Sequence, residues 1–152
     1  MLFRSAAACH GAALLHHADA AIAQALHTYG LNLGIAFQLA DDLLDYAGDP
    51  GQTGKNVGDD LNEGKITLPL LHAMRAGTPA ESRRVAEVLR QKDGSAFADI
   101  MAIVHKTGGI EATREAALNH QQQATAALAA LSDSDALAAL RLMAEKAVDR
   151  QG

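Results

Sequence analysis

The chain has 152 residues, 49% of them apolar and 3% aromatic, with a net charge of -5 and a single cysteine, Cys9. That length suits one domain able to bury roughly 70% of its unfolded surface, and one cysteine excludes an internal disulfide framework and fits a reducing compartment. Mild acidity, with no basic run and no aromatics interleaved with Lys or Arg, argues against nucleic acid as a partner. No apolar run approaches the ~20 residues of a membrane span, and without a signal-peptide pattern the chain reads as cytoplasmic.

Residues 1–17, rich in alanine and leucine, predict a first helix. It has no N-cap residue before Met1, which reads as though an upstream part were missing. A long second helix is expected over 19–46, with Asp19 as N-cap, stopped by the glycines and proline of "GDPGQTG" at 48–54. In "GDDLNEG", Asp60 with Glu63 three residues on resembles a capping box, with Asp in place of Ser or Thr. "ITLPLLHAMRAG" predicts a helix starting near Pro69 and ending at Gly77. Helices follow at about 79–91, 95–107 and 109–131, separated by Gly94 and by the Gly108-Gly109 pair, and a last one at about 134–149 is capped by Ser132 or Asp133. Nothing alternates with period two for long enough to be a strand, so the class is all-α.

"FQLADDLLDYAGD", 37–49, places three aspartates in an oily stretch. At ~100° per residue, Phe37, Gln38, Asp41, Asp42 and Asp45 fall within an arc of roughly 140°, with Leu39 and Leu43 opposite. Such a pattern on a helix is more often a solvated face. Here the neighbouring turns, 30–44, carry almost none of the Lys, Glu or Gln that a solvated face would show. Asp41 and Asp45 stand one turn apart, and close carboxylates repel unless a cation intervenes. Mg²⁺ is the natural counter-charge, since it takes one or two carboxylates and completes its shell with water and substrate phosphates. Lys55 and Lys65, each preceded by glycine, follow in "GKNVGDDLNEGK". A loop folding back over the aspartates would bring both ammonium groups to the metal and make a site for a polyanion such as diphosphate.

The histidines lack the H-x-x-x-H spacing of a helical zinc pair and read as structural. Cys9 reads as a small packing residue, and Met74, Met101 and Met143 as core fillers.

"GIAFQLADDLLDYAGDPGQTGKNVGDDLNEGKITLPLLHAM" resembles the trans-isoprenyl (polyprenyl) diphosphate synthases, and among them the bacterial octaprenyl diphosphate synthases of quinone biosynthesis. The resemblance rests on F-Q-x-x-D-D-x-x-D, the following G-K, and G-D-D-L-x-E-G-K-x-T-L-P. It implies an all-helical isoprenoid-synthase bundle in which two aspartate-rich motifs hold Mg²⁺ across a cavity. An allylic diphosphate is ionised there and condenses with isopentenyl diphosphate. By the same resemblance Asp41 is a direct metal ligand and Asp42 and Asp45 hold metal or metal-bound water. Lys55 and Lys65 neutralise the leaving diphosphate, while Phe37 and Gln38 line the substrate side.

Family members run to about twice this length, and the first aspartate-rich motif has no counterpart here, so residues 1–152 read as the C-terminal half of a synthase domain. Apolar residues all round the first two helices, such as Leu2, Phe3, Leu14, Leu15, Leu26 and Leu33, then predict self-association as a homodimer. The alternative is a non-catalytic helical subunit that binds a partner chain.

Overall fold

The computed structural model describes residues 2–47 and 58–149. Every regular element among them is helical: α1 Leu2–Leu15, α2 Ala20–Ala47, α3 Asp59–Glu63, α4 Leu68–Ala76, α5 Pro79–Gln91, α6 Phe97–Thr107, α7 Gly109–Ala127 and α8 Asp135–Val148. Single 3₁₀ turns at Gly94–Ala96 and Leu128–Ala130 precede α6 and follow α7. The all-α expectation is met, and the local chemistry of the helix ends explains most of the bounds.

The Asp19 carboxylate accepts the N–H of Ile22 (2.8 Å) and starts α2 as expected. Pro69 lies in the first turn of α4 and Gly77 follows its end. Thr78 and Glu81 exchange hydrogen bonds in a capping box at the start of α5. Three expectations need correction. The first helix ends at Leu15, and His17 turns the chain with a φ of 53°. The cap of α8 is Ser134, whose hydroxyl accepts the N–H of Leu137 (3.1 Å), because only Ser134 immediately precedes the first helical residue. The Asp60/Glu63 box does not form. Asp60 is inside α3, and Gly58, which has no side chain to offer, occupies its N-cap.

The chain packs as two units, 2–40 with 116–149, and the described part of 41–115. In the first, small residues (Ala124, Ala144) and Leu128 and Leu137 close around Tyr29, with Cys9 packed against them. The Tyr29 hydroxyl donates to the carbonyl of Leu140 (2.9 Å), and burial pushes its pKa up to about 12, so it keeps its proton. Buried Asn32 donates to the Thr28 carbonyl (2.9 Å) and accepts from Nδ1 of His120 (2.8 Å). His10 and His27 meet edge to face at 5.3 Å. Leu14 and Leu15 are 58% and 81% exposed, in line with the expected apolar exposure on α1, and Met143, expected in the core, is exposed as well.

α1 and α2 touch closely at Gly30, where a Cβ would come within 2.5 Å of the Ser5 carbonyl oxygen and 2.9 Å of Ala6 Cα. Because both obstacles are backbone, Gly30→Ala is expected to cost up to about 3 kcal/mol in overpacking. The ~1 kcal/mol of helix propensity that alanine returns does not offset it. Urea denaturation should therefore give a lower midpoint for the variant. An unchanged or higher midpoint would exclude the close approach.

The second unit is built on Leu70, Val85, Val88, Ile100 and Val104, all buried, with Met74 and Met101 packed against them as expected. On its surface Lys106 pairs with Glu81 (2.7 Å) and Arg84 with Asp99 (2.8 Å). Lys106, helped by Thr78, draws the Glu81 carboxyl down to about 2, but exposed pairs of this kind add little to stability.

Candidate functional site

The acidic turns of α2 meet a returning segment, 58–67. Gly58 makes the return possible. Its φ of 91° disfavours any other residue, and a Cβ there would sit 2.7 Å from the Phe97 ring. The Gly58 N–H donates to the carbonyl of Asp45 (3.1 Å). The N–H of Asp60 donates to Oδ2 of the Asp45 side chain (3.2 Å). At the far end of the segment the hydroxyls of Tyr46 and Thr67, both buried, hydrogen bond to each other.

Asp41 and Asp42 are half-buried on α2, as are Phe37 and Gln38 one turn earlier. Asp45 departs from the expected open stripe, because the 58–60 turn covers it and leaves it 6% exposed. Its pKa is raised, first by that burial and then by the charges of Asp60 and Asp59. The amides of the same two residues oppose the rise. The Tyr46 hydroxyl is raised too, mainly by burial and further by Asp45, Asp60 and Asp42. Carboxylates from α2 and α3 thus converge on one negative region.

Lys65 answers part of that charge. Its ammonium pairs with Asp60 (2.7 Å) and Glu63 (2.8 Å), remains 55% exposed, and has its pKa raised by those bonds. Sequence reasoning brought Lys65 to the acidic region but assigned Asp60 and Glu63 to a cap. In the fold they are its anionic partners. Tyr46 was overlooked, and its period along α2, next to Asp45, would have placed it with the buried residues. Lys55 lies outside the described residues.

Phe37 lines a cleft of about 400 Å³ in the first unit, together with Leu33 and Gly34 of α2, Ser5 of α1, and Met143 and Lys146 of α8. The lining is mostly apolar and suits a hydrocarbon chain.

Among the described residues no three His, Cys, Asp or Glu side chains converge to hold a metal unaided. The donor set nevertheless fits a hard divalent cation that takes one or two carboxylates and draws its other ligands from phosphate and water. Carboxylate oxygens from α2 and α3 supply such donors. Asp41 and Asp42 are the other two carboxylates of this stretch of α2, while Asp45 is turned to the amides of α3.

Comparison with known proteins gives the family. The family model "Polyprenyl synthetase" matches residues 2–107, from α1 through α6. The chain belongs to the polyprenyl synthetase family. It is 44% identical over 150 residues to an octaprenyl diphosphate synthase of Escherichia coli, a match covering 98% of this chain and 46% of that one. A polyprenyl synthase of Caulobacter crescentus, solved in complex with calcium and isoprenyl diphosphate, superposes with a TM-score of 0.86 at 39% identity, over 97% of this chain and 46% of that one. A geranylgeranyl pyrophosphate synthase of Corynebacterium glutamicum, complexed with isoprenyl diphosphate and magnesium, gives 0.74 at 33% identity, over 89% and 39%. The chain therefore spans about half the length of the relatives it matches. The fold is the all-helical polyprenyl synthase fold. Among the described residues no helix is long and apolar enough to cross a membrane.

Proposed function

We propose that these residues form one half of the active site of a polyprenyl diphosphate synthase, which condenses isopentenyl diphosphate with an allylic diphosphate, as in quinone side-chain synthesis. The observation that carries the reading is the convergence of Asp42, Asp45, Asp59 and Asp60 where α2 meets 58–67, with Lys65 paired to Asp60, in a chain 44% identical to an octaprenyl diphosphate synthase.

Asp41 and Asp42 would hold Mg²⁺, which supplies charge neutralisation to the departing diphosphate. Lys65, and Lys55 from its place in the sequence, bind the phosphate oxygens. Phe37 and Gln38 border the hydrocarbon side, and the Phe37 cleft keeps water from the apolar chain. In the reaction the allylic C–O bond breaks with its electron pair leaving on diphosphate. The double bond of isopentenyl diphosphate forms the new C–C bond, and a proton is lost from the adduct. Ammonium groups aimed at the departing oxygens act where charge develops.

Calorimetric titration of inorganic pyrophosphate tests the half-site. Heat is expected with Mg²⁺ and none with EDTA, and equal heats in both would overturn it. Taken alone, the 152 residues are expected not to elongate, because the family's first aspartate-rich motif has no counterpart in them. Incorporation of radiolabelled isopentenyl diphosphate above an EDTA blank would refute this. Exposed Leu14 and Leu15 also favour a covering chain, and a second copy in the cytoplasm is the simplest. Sedimentation at micromolar concentration should show a dimer, and a monomer would dismiss it.

A further inference from the structure

We propose that Asp45 is a positioning residue and not a metal ligand: its carboxylate caps α3 from outside and fixes where Asp60 and Lys65 stand against the aspartates of α2. This deepens the reading above and rests on it for the ligand alone.

The argument starts from α3, which has five residues and a glycine at its N-cap. A helix so short has no stability of its own, and its first N–H groups need acceptors from elsewhere. Gly58 has no side chain to supply one. Oδ2 of Asp45 does, accepting the N–H of Asp60 at 3.2 Å. The carbonyl of the same residue takes the Gly58 N–H at 3.1 Å. The next residue, Tyr46, holds Thr67 at the other end of the segment. Two consecutive α2 residues thus pin both ends of the stretch carrying Asp60 and Lys65. At 6% exposure, Asp45 has little room for an ion that dehydrates reluctantly and keeps several waters.

Cap and ligand roles make opposite demands on one substitution. Asparagine keeps an oxygen that accepts an amide N–H but loses the charge a Mg²⁺ ligand needs. Alanine loses both. The 152-residue chain would be compared with Asp45→Asn, Asp45→Ala and, as a ligand control, Asp41→Asn. The first measurement is amide hydrogen exchange over 59–64 in EDTA, which no metal or ligand can influence. Asp45→Asn should stay within about threefold of wild type, and Asp45→Ala should exchange about tenfold faster, the loss of one cap. The second is pyrophosphate titration with Mg²⁺. Asp45→Asn should bind far closer to wild type than Asp41→Asn does, and Asp45→Ala should bind about tenfold more weakly than wild type. Wild-type exchange in Asp45→Ala, or Asp45→Asn losing as much pyrophosphate affinity as Asp41→Asn, would overturn the proposal. Should Asp45→Ala fail to fold, Asp45→Asn against wild type decides both measurements. If wild type itself ignores pyrophosphate, the diphosphate reading falls and the exchange measurement still decides the cap.

Discussion

Asp41→Ala is expected to lower Mg²⁺-dependent pyrophosphate affinity by on the order of 100-fold or more, since even outer partners of a metal site cost 10–100-fold when removed. Asp41 is half-buried, four residues before Asp45, on the stretch of α2 whose neighbours Asp42, Asp59 and Asp60 supply the remaining negative charge. A cation between those carboxylates and a diphosphate has few protein oxygens to draw on, so the loss of one is felt strongly. The helical circular dichroism should persist, because alanine is the best helix former and the site lies within a 28-residue helix. Titration beside a wild-type control at the same Mg²⁺ concentration measures the effect. Wild-type affinity in Asp41→Ala would remove this aspartate from the site and with it the reading of α2 as the metal-bearing helix.

The helices were legible wherever punctuation is local. Asp19, Pro69, Gly77 and the Gly108-Gly109 pair act on the residues beside them, so spacing alone locates the ends of α2, α4 and α6. The cap of α8 was harder, because "SDSD" offers four residues of nearly equal capping chemistry. Register within the fold, not residue type, selects Ser134.

The candidate site was legible as a set of residue types and less so as a set of roles. Helical periodicity correctly puts Asp41 and Asp45 one turn apart, yet it cannot say what a later segment lays over either. The acceptor for α3 lies 15 positions upstream, and the Tyr46–Thr67 bond spans 21. Asp60 and Glu63, three apart, have the spacing of a capping box. With glycine already at the cap they are free to pair with Lys65. The same side chains served two readings, and only the backbone conformation at Gly58 distinguishes them.

Leu61→Ala is expected to lose about 2–5 kcal/mol, the usual cost of emptying a fully buried leucine site. That corresponds to a fall of roughly 4–20 °C in melting temperature for a chain of this size. Leu61 is wholly buried in the cluster that includes Val85, Val88, Leu89 and Ala96. It is also the buried residue of α3, so its side chain fastens the five-residue helix to the core while Asp45 satisfies its amides. The substitution should therefore act twice, lowering overall stability and loosening Asp60 and Lys65. Leu61→Met, which conserves volume, should cost less than about 1.5 kcal/mol and leave α3 in place. Thermal melts of the three proteins measure the first effect; hydrogen exchange over 59–64 and pyrophosphate titration, both well below the melting temperature, measure the second. If Leu61→Ala melts early yet keeps wild-type exchange and pyrophosphate affinity, Leu61 fills the core without anchoring α3. The placement of Lys65 then depends on the Asp45 and Tyr46 contacts alone.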